Sequence, residues 1–287
     1  MTAAFDYDTA FSRNLGWVTR DEQQALRGKR VAIAGLGGVG GLHLLALARL
    51  GIGRFHLAEF DRFELANFNR QVGASMRTLD RPKLEVMMSR ARDVNPEADI
   101  VPFDAGVSAE NIGDFLEGID VFVDGLDFFA FAARELVFGA CHARGIPAVT
   151  AAPLGMGAAL LNFVPGGMSF ADYFGFAECA ESERPIRFLL GLAPAMLHRR
   201  YLADLSFVDL RGGKGPSTAM ACHICAGIAA TETLKLLLHR GSVVKAPRGV
   251  QFDAYRNKLT HTWRPWGWRN PLQRLVAAIA RRELARR

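Results

Sequence analysis

The stretch Val31-Ala32-Ile33-Ala34-Gly35-Leu36-Gly37-Gly38-Val39-Gly40 constrains this chain more than any other. A short apolar run ends in glycines, and helical periodicity begins at once. This is how a buried parallel strand passes into a helix whose N-terminus faces a phosphate. Gly35 permits the tight turn. Gly37 and Gly38 remove side chains that would hold a phosphate off the backbone amides. Gly40 lets the helix sit close on the sheet. Many nucleotide-binding folds share the pattern, and its plain alternative is a strand–helix turn with no ligand. What the turn binds has to be read from the rest of the chain.

The following residues repeat the strand–helix alternation. A helix is expected from about Gly38 to Leu50, with Gly51 closing it. Further strands are expected at Phe55–Glu59, Asp99–Phe103, Asp120–Asp124 and Ala148–Ala151. Ser108 is expected to cap a short helix reaching Glu117, and another helix spans Phe128–Arg144. The fold class is therefore α/β, a doubly wound Rossmann-like, mainly parallel sheet. After Pro153 the character changes. Met156–Val164 is an apolar strand with no helical crossover, and Val250–Asp253 and Lys258–Trp263 read as strands that pair. These are antiparallel additions in the C-terminal half. Between them lie an irregular crossover loop of about 165–217, read as a lid or binding segment, and a strong helix at Thr218–His239.

Three units follow. Residues 1–30 form an N-terminal helical arm, in which Thr19 and Glu22 make a capping box. Residues 31–265 form the nucleotide-binding body. Residues 266–287 form a basic amphipathic helix, opened by Asn270 and Pro271 and running to Arg287. Its apolar positions Leu272, Leu275, Val276 and Ile279 make one stripe. A helix docked by that stripe is expected over a membrane-surface helix, because the stripe lacks an aromatic.

Composition excludes some classes. Of 287 residues half are hydrophobic, enough for a sizeable core. No apolar run reads as a membrane span, and with Asp6 and Asp8 early and no apolar stretch beside them a secretory signal is not expected. The four cysteines, Cys141, Cys179, Cys222 and Cys225, are expected as thiols in a cytoplasmic protein. The net charge of +6 is concentrated at the C-terminus, where seven arginines follow from Arg264 against one acid, Glu283. A solvated helix face accounts for this better than a nucleic-acid reader does.

Candidate site residues sit at the strand ends. Glu59 closes the second strand, where an acid reaches the ribose of a nucleotide. The polar stretch 61–71 is too polar for the core and carries Asp61, Asn67 and Arg70. Asp80 is read as a cap and Pro82 as the first turn of the next helix, with Lys83 beside it. A lysine there opposes the helix dipole, so it is expected to meet an anion. Asp127 follows the fourth strand, where acids suit Mg²⁺ near phosphates, or a helix cap. A dehydrogenase would use the glycine turn and Glu59 and leave Asn67, Arg70, Lys83 and Asp127 unexplained. A nucleoside triphosphate uses them all: Arg70 and Lys83 neutralise departing phosphate charge and Asp127 holds Mg²⁺. No Gly-Lys-Ser/Thr is present, so ordinary P-loop chemistry is excluded.

Taken in order, Gly35-x-Gly37-Gly38-x-Gly40, Glu59-x-Asp61, Asn67-x-x-Arg70-Gln71, Pro82-Lys83 and Asp127 resemble the ThiF/MoeB/HesA family, the relatives of ubiquitin-activating enzymes. Phe11-Ser12-Arg13-Asn14 is similar to that family's N-terminal aromatic–arginine segment. The resemblance implies an adenylyltransferase that uses ATP and Mg²⁺ on the C-terminal glycine carboxylate of a small ubiquitin-like or sulfur-carrier protein, or of a peptide, releasing pyrophosphate. It implies Gly38, Glu59, Asn67, Arg70, Lys83 and Asp127 at the ATP site. It also implies Arg13 reaching the triphosphate of a neighbouring subunit in a homodimer. Phe128 stands where the family commonly has Asn. Cys222-x-x-Cys225 is a single pair where zinc-binding members carry two, so zinc is not expected. Cys179, in the crossover loop, is the candidate acceptor thiol, against its reading as an ordinary loop cysteine. Two alternatives remain: an enzyme like the tRNA threonylcarbamoyladenosine dehydratases, and a non-catalytic nucleotide- or peptide-binding module.

Overall fold

The computed structural model describes residues 4–210 and 212–285, with side chains to residue 279. In chain order the elements are α1 (Tyr7–Ala10), α2 (Arg20–Gly28), β1 (Arg30–Ala34), α3 (Gly40–Arg49), β2 (Arg54–Ala58), α4 (Lys83–Val94), β3 (Asp99–Phe103), α5 (Ile112–Phe115), β4 (Val121–Asp124) and α6 (Phe131–Arg144). There follow β5 (Ala148–Leu154), β6 (Gly157–Phe163), α7 (Phe170–Phe174), α8 (Arg184–Leu192), α9 (Ala219–Leu237), β7 (Arg248–Asp253), β8 (Lys258–Trp263) and α10 (Pro271–Ala285). Arg286 and Arg287, the expected end of the last helix, lie outside the described residues.

One eight-stranded sheet runs in the order β3-β2-β1-β4-β5-β6-β7-β8. β1 to β5 are parallel, and β6, β7 and β8 add on antiparallel. The reason is legible in composition. β4 and β6 are buried along their whole length and β1 nearly so, as covering on both faces requires. The strand order turns back between β1 and β4, and the crevice beyond their carboxyl ends is where α/β sheets bind ligands.

α9 illustrates a limit of hydropathy. It is long and apolar enough to cross a membrane by length and composition. Here it is a core helix: Cys222, Cys225, Ala226 and Ala229 are buried in one cluster with β1, β4 and α3 residues.

Three helix starts differ from expectation. α4 begins at Lys83 with Pro82 as its cap residue, while Asp80 takes a left-handed turn (φ 61°) instead of capping. Ser108 does not cap α5; Asn111 precedes it, and the Asn111 carboxamide oxygen accepts the Ser108 amide. α6 begins at Phe131, three residues late, because the preceding turn is tied elsewhere.

The crossover loop is also more ordered than its composition suggests. It holds α7 and α8 on an aromatic cluster, in which Phe170, Phe174, Phe176 and Phe188 pack on Phe131 and Phe138. Their spacing follows no single period, so the pattern is invisible until the elements meet. Phe128 belongs to the same cluster, 5.0 Å from the Phe188 ring.

Candidate active site

The glycine turn is built by close approach. Gly35 has φ +83°, and a Cβ there would lie 2.2 Å from the Gly125 carbonyl oxygen. At Gly40 a Cβ would lie 1.7 Å from the Gly35 oxygen. The turns after β1 and β4 therefore touch backbone to backbone, which only glycine permits. Gly37 and Gly38 are looser: at Gly38 a Cβ would meet Cys222 Sγ at 3.3 Å and Arg70 Cγ at 3.6 Å. The stem of Arg70 thus lies along Gly38, with the start of α9 beside it. The Asn69 carboxamide donates to the Ser217 carbonyl and ties that helix start to the polar loop.

Glu59 braces this turn. Its Oε2 accepts the Leu36 amide at 2.8 Å, and Oε1 accepts the amides of Phe60 and Asp61 at 3.0 Å. A carboxylate has about four acceptor positions, so about one remains for a ribose hydroxyl. Bracing the loop is thus the larger part of what this residue does here. Asp61 in turn pairs with Lys83 Nζ at 3.1 Å. The lysine does meet an anion, and that anion belongs to the chain itself. Lys83 is buried while Asp61 is exposed. A cleft of about 1040 Å³ lined by Glu59, Phe60, Asp61, Arg62, Pro82 and Pro102 opens beside them.

Asn67 and Arg70 share one short turn. The Asn67 carboxamide oxygen accepts the Glu64 amide, and the Asn67 carbonyl accepts the amides of Arg70 and Gln71. Arg70 Nη1 donates to the Ala66 carbonyl and to Asn69 Oδ1. Gln71, assigned no role from the sequence, sits with its carboxamide 3.5 Å from the position of a Gly37 Cβ. Its Oε1 is buried with no hydrogen-bond partner among the described residues.

Asp127 is the exposed acid of the β4 turn. Its Oδ1 accepts the Phe129 amide at 2.9 Å, and its carbonyl accepts from Ala130 and Arg134. One carboxylate oxygen is left outward. Asp124, by contrast, is consumed. It is buried against Arg134 at 2.9 Å and accepts from the Thr150 hydroxyl at 2.8 Å. Of Asp124 and Asp127, the two acids at the end of β4, only Asp127 is exposed. A single carboxylate suits Mg²⁺, which takes its remaining ligands from phosphate and water. Among the described residues no group of three or more His, Cys, Asp or Glu is placed to hold a metal by itself.

Two expected residues stand apart. Arg13 lies on a turn beside Arg49 at the far end of α3, roughly 15 Å of helix away from the glycine turn. Asn14 next to it closes that helix end, donating to the carbonyls of Arg49 and Leu50. Cys179 lies in a separate pocket of about 400 Å³ with Arg187, Trp268 and Arg269. Burial raises its pKa, opposed by the Arg187 charge, so it stands as a thiol at neutral pH.

The ThiF family profile matches residues 11–274. The chain belongs to the ThiF family. This ThiF-family chain is 33% identical to the sulfur carrier protein ThiS adenylyltransferase of Escherichia coli over 148 residues, 52% of this chain and 58% of that one. It is 35% identical to the tRNA threonylcarbamoyladenosine dehydratase of Bacillus subtilis over 107 residues, 37% and 42% of the two chains. Its aligned part spans about half the length of these relatives. With the SAMP-activating enzyme E1 of Haloferax volcanii it shares 29% over 232 residues, 81% and 75% of the chains. Among solved structures, PaaA has the same fold, with a TM-score of 0.68 at 17% identity over 91% and 84% of the chains.

Proposed function

We propose that the chain adenylates a carboxylate with ATP and Mg²⁺, releasing pyrophosphate. The acceptor is the C-terminal carboxylate of a small ubiquitin-like or sulfur-carrier protein, or of a peptide. One observation carries the reading: Arg70 lies along Gly38 over the glycine turn, and the backbone of that turn touches the turn that presents Asp127. A triphosphate laid there has amides beneath it, a guanidinium beside it and a carboxylate for its metal. The attacking carboxylate needs no base, so positioning and charge neutralisation supply most of the catalysis. Asp127 would hold Mg²⁺, which neutralises phosphate charge. Lys83 and Arg70 offset the charge that grows on the departing pyrophosphate. Similarity to the ThiS adenylyltransferase supports a protein acceptor.

A second reading, an enzyme like the tRNA threonylcarbamoyladenosine dehydratases, is favoured by the match to the Bacillus subtilis protein. ATP–pyrophosphate exchange separates the two. Exchange that requires a protein or peptide ending in Gly-Gly supports the first, and exchange that requires tRNA supports the second. ATP binding without exchange on either would leave a nucleotide-binding module and overturn the proposal.

A further inference from the structure

Helix α10 does not bury its apolar stripe. Leu272, Leu275, Val276 and Ile279 are 64, 58, 37 and 50% exposed, at the spacing that puts them on one face. The helix is held to the body from another side, through Ala277, buried with Leu190 and Trp268. The expected docking by the stripe is therefore overturned. The aromatic residues that the stripe lacks stand just before it: Trp263 and Trp266 are 62 and 69% exposed.

Charge decides which occupant fits this face. From Arg264 onward the sequence carries seven arginines and one acid. Arg264 is buried against Tyr173 and Arg269 pairs with Glu178 at 3.6 Å, which leaves five arginines in the helix sequence against Glu283. Pairing the helix with its copy would bring two such strings together, and like charge opposes that. A nucleic acid would meet the arginines and leave the aliphatic stripe in water. An anionic lipid surface meets both: the stripe and indoles enter the headgroup boundary and the arginines meet lipid phosphate. We propose that α10 docks the protein peripherally on an anionic bilayer, lying in the interface plane. This inference is independent of the nucleotide site.

The test uses the full chain with two vesicle types, phosphatidylcholine alone and phosphatidylcholine with about 30% phosphatidylglycerol. The protein floats with the anionic vesicles only, its tryptophan emission shifts to the blue, and about 0.5 M salt weakens the association. Leu275→Glu/Ile279→Glu abolishes flotation, and Arg281→Gln/Arg282→Gln weakens it about tenfold. Thermal melts of both variants stay at the wild-type midpoint; if the Glu pair melts early, Leu272→Ser/Leu275→Ser replaces it. Absence of flotation on anionic vesicles overturns the proposal, as does unchanged flotation of the stripe variants. A dimer that the stripe variants dissociate, or tRNA binding, without vesicle binding by the wild type gives the face to another partner.

Discussion

Arg134 Nε donates to Asp124 Oδ2 at 2.9 Å, with both side chains 2% exposed. The same guanidinium donates to the carbonyls of Leu126 and Asp127 and stacks 4.6 Å from the Phe188 ring. One buried ion pair thus holds the turn that presents Asp127 and fixes the crossover segment against it. Removing one partner leaves a buried charge uncompensated. Arg134→Gln is expected to cost about 3–5 kcal/mol, and Asp124→Leu/Arg134→Leu less than that. Urea unfolding of the three proteins checks the order.

Asp127 has a structural and a proposed metal role, and two substitutions separate them. Asp127→Asn keeps an oxygen for the Phe129 amide and melts near wild type. Asp127→Ala loses that bond and about 1 kcal/mol. Both should reduce pyrophosphate exchange by roughly 10²-fold or more. Undiminished exchange in either variant sinks the Mg²⁺ assignment.

The glycines divide in the same way. Gly40→Ala forces a Cβ onto the Gly35 carbonyl and should destabilise by about 3 kcal/mol or more. Gly38→Ala meets only Cys222 Sγ and the Arg70 stem, so stability should change by less than about 1 kcal/mol. ATP affinity, measured by calorimetry, should fall in that second variant while its melt stays in place.

Arg13 cannot reach the glycine turn of its own chain. If it serves a neighbouring subunit, Arg13→Ala and Lys83→Ala proteins are each inactive. Mixing them after subunit exchange then restores about a quarter of wild-type exchange activity. No recovery in verified mixed dimers would remove Arg13 from the site.

His43 lies buried on α3 with neither ring nitrogen hydrogen-bonded among the described residues. Burial lowers its pKa from 6.5 to about 4. Between those values the unfolded chain binds the extra proton, so stability rises with pH across that window and is lost as pH falls from about 6.5 toward 4. The loss is about 3 kcal/mol. Replacing the unpaired ring by an apolar group of similar size, His43→Leu, should leave stability at pH 7.5 near wild type and flatten the acid limb in urea melts at pH 5.

Local chemistry carried much of this protein. Continuous apolar runs dictated the central strands, glycines at 35 and 40 dictated the turn, and Thr19 with Glu22 dictated a capping box that forms as expected. Each rests on neighbours a few residues apart, which is the range over which a sequence is legible. Tertiary structure decided what depends on distant segments meeting. It gave Asp124 to Arg134 and left Asp127 outward; it turned Glu59 toward the Leu36 amide; it set Lys83 on Asp61. It also ordered the crossover segment on phenylalanines of α6, α7, α8 and the turns beside them and left the stripe of α10 facing water. A charge or a ring shows its type in the sequence, but its partner is fixed only when the sheet brings separate strand ends to one edge.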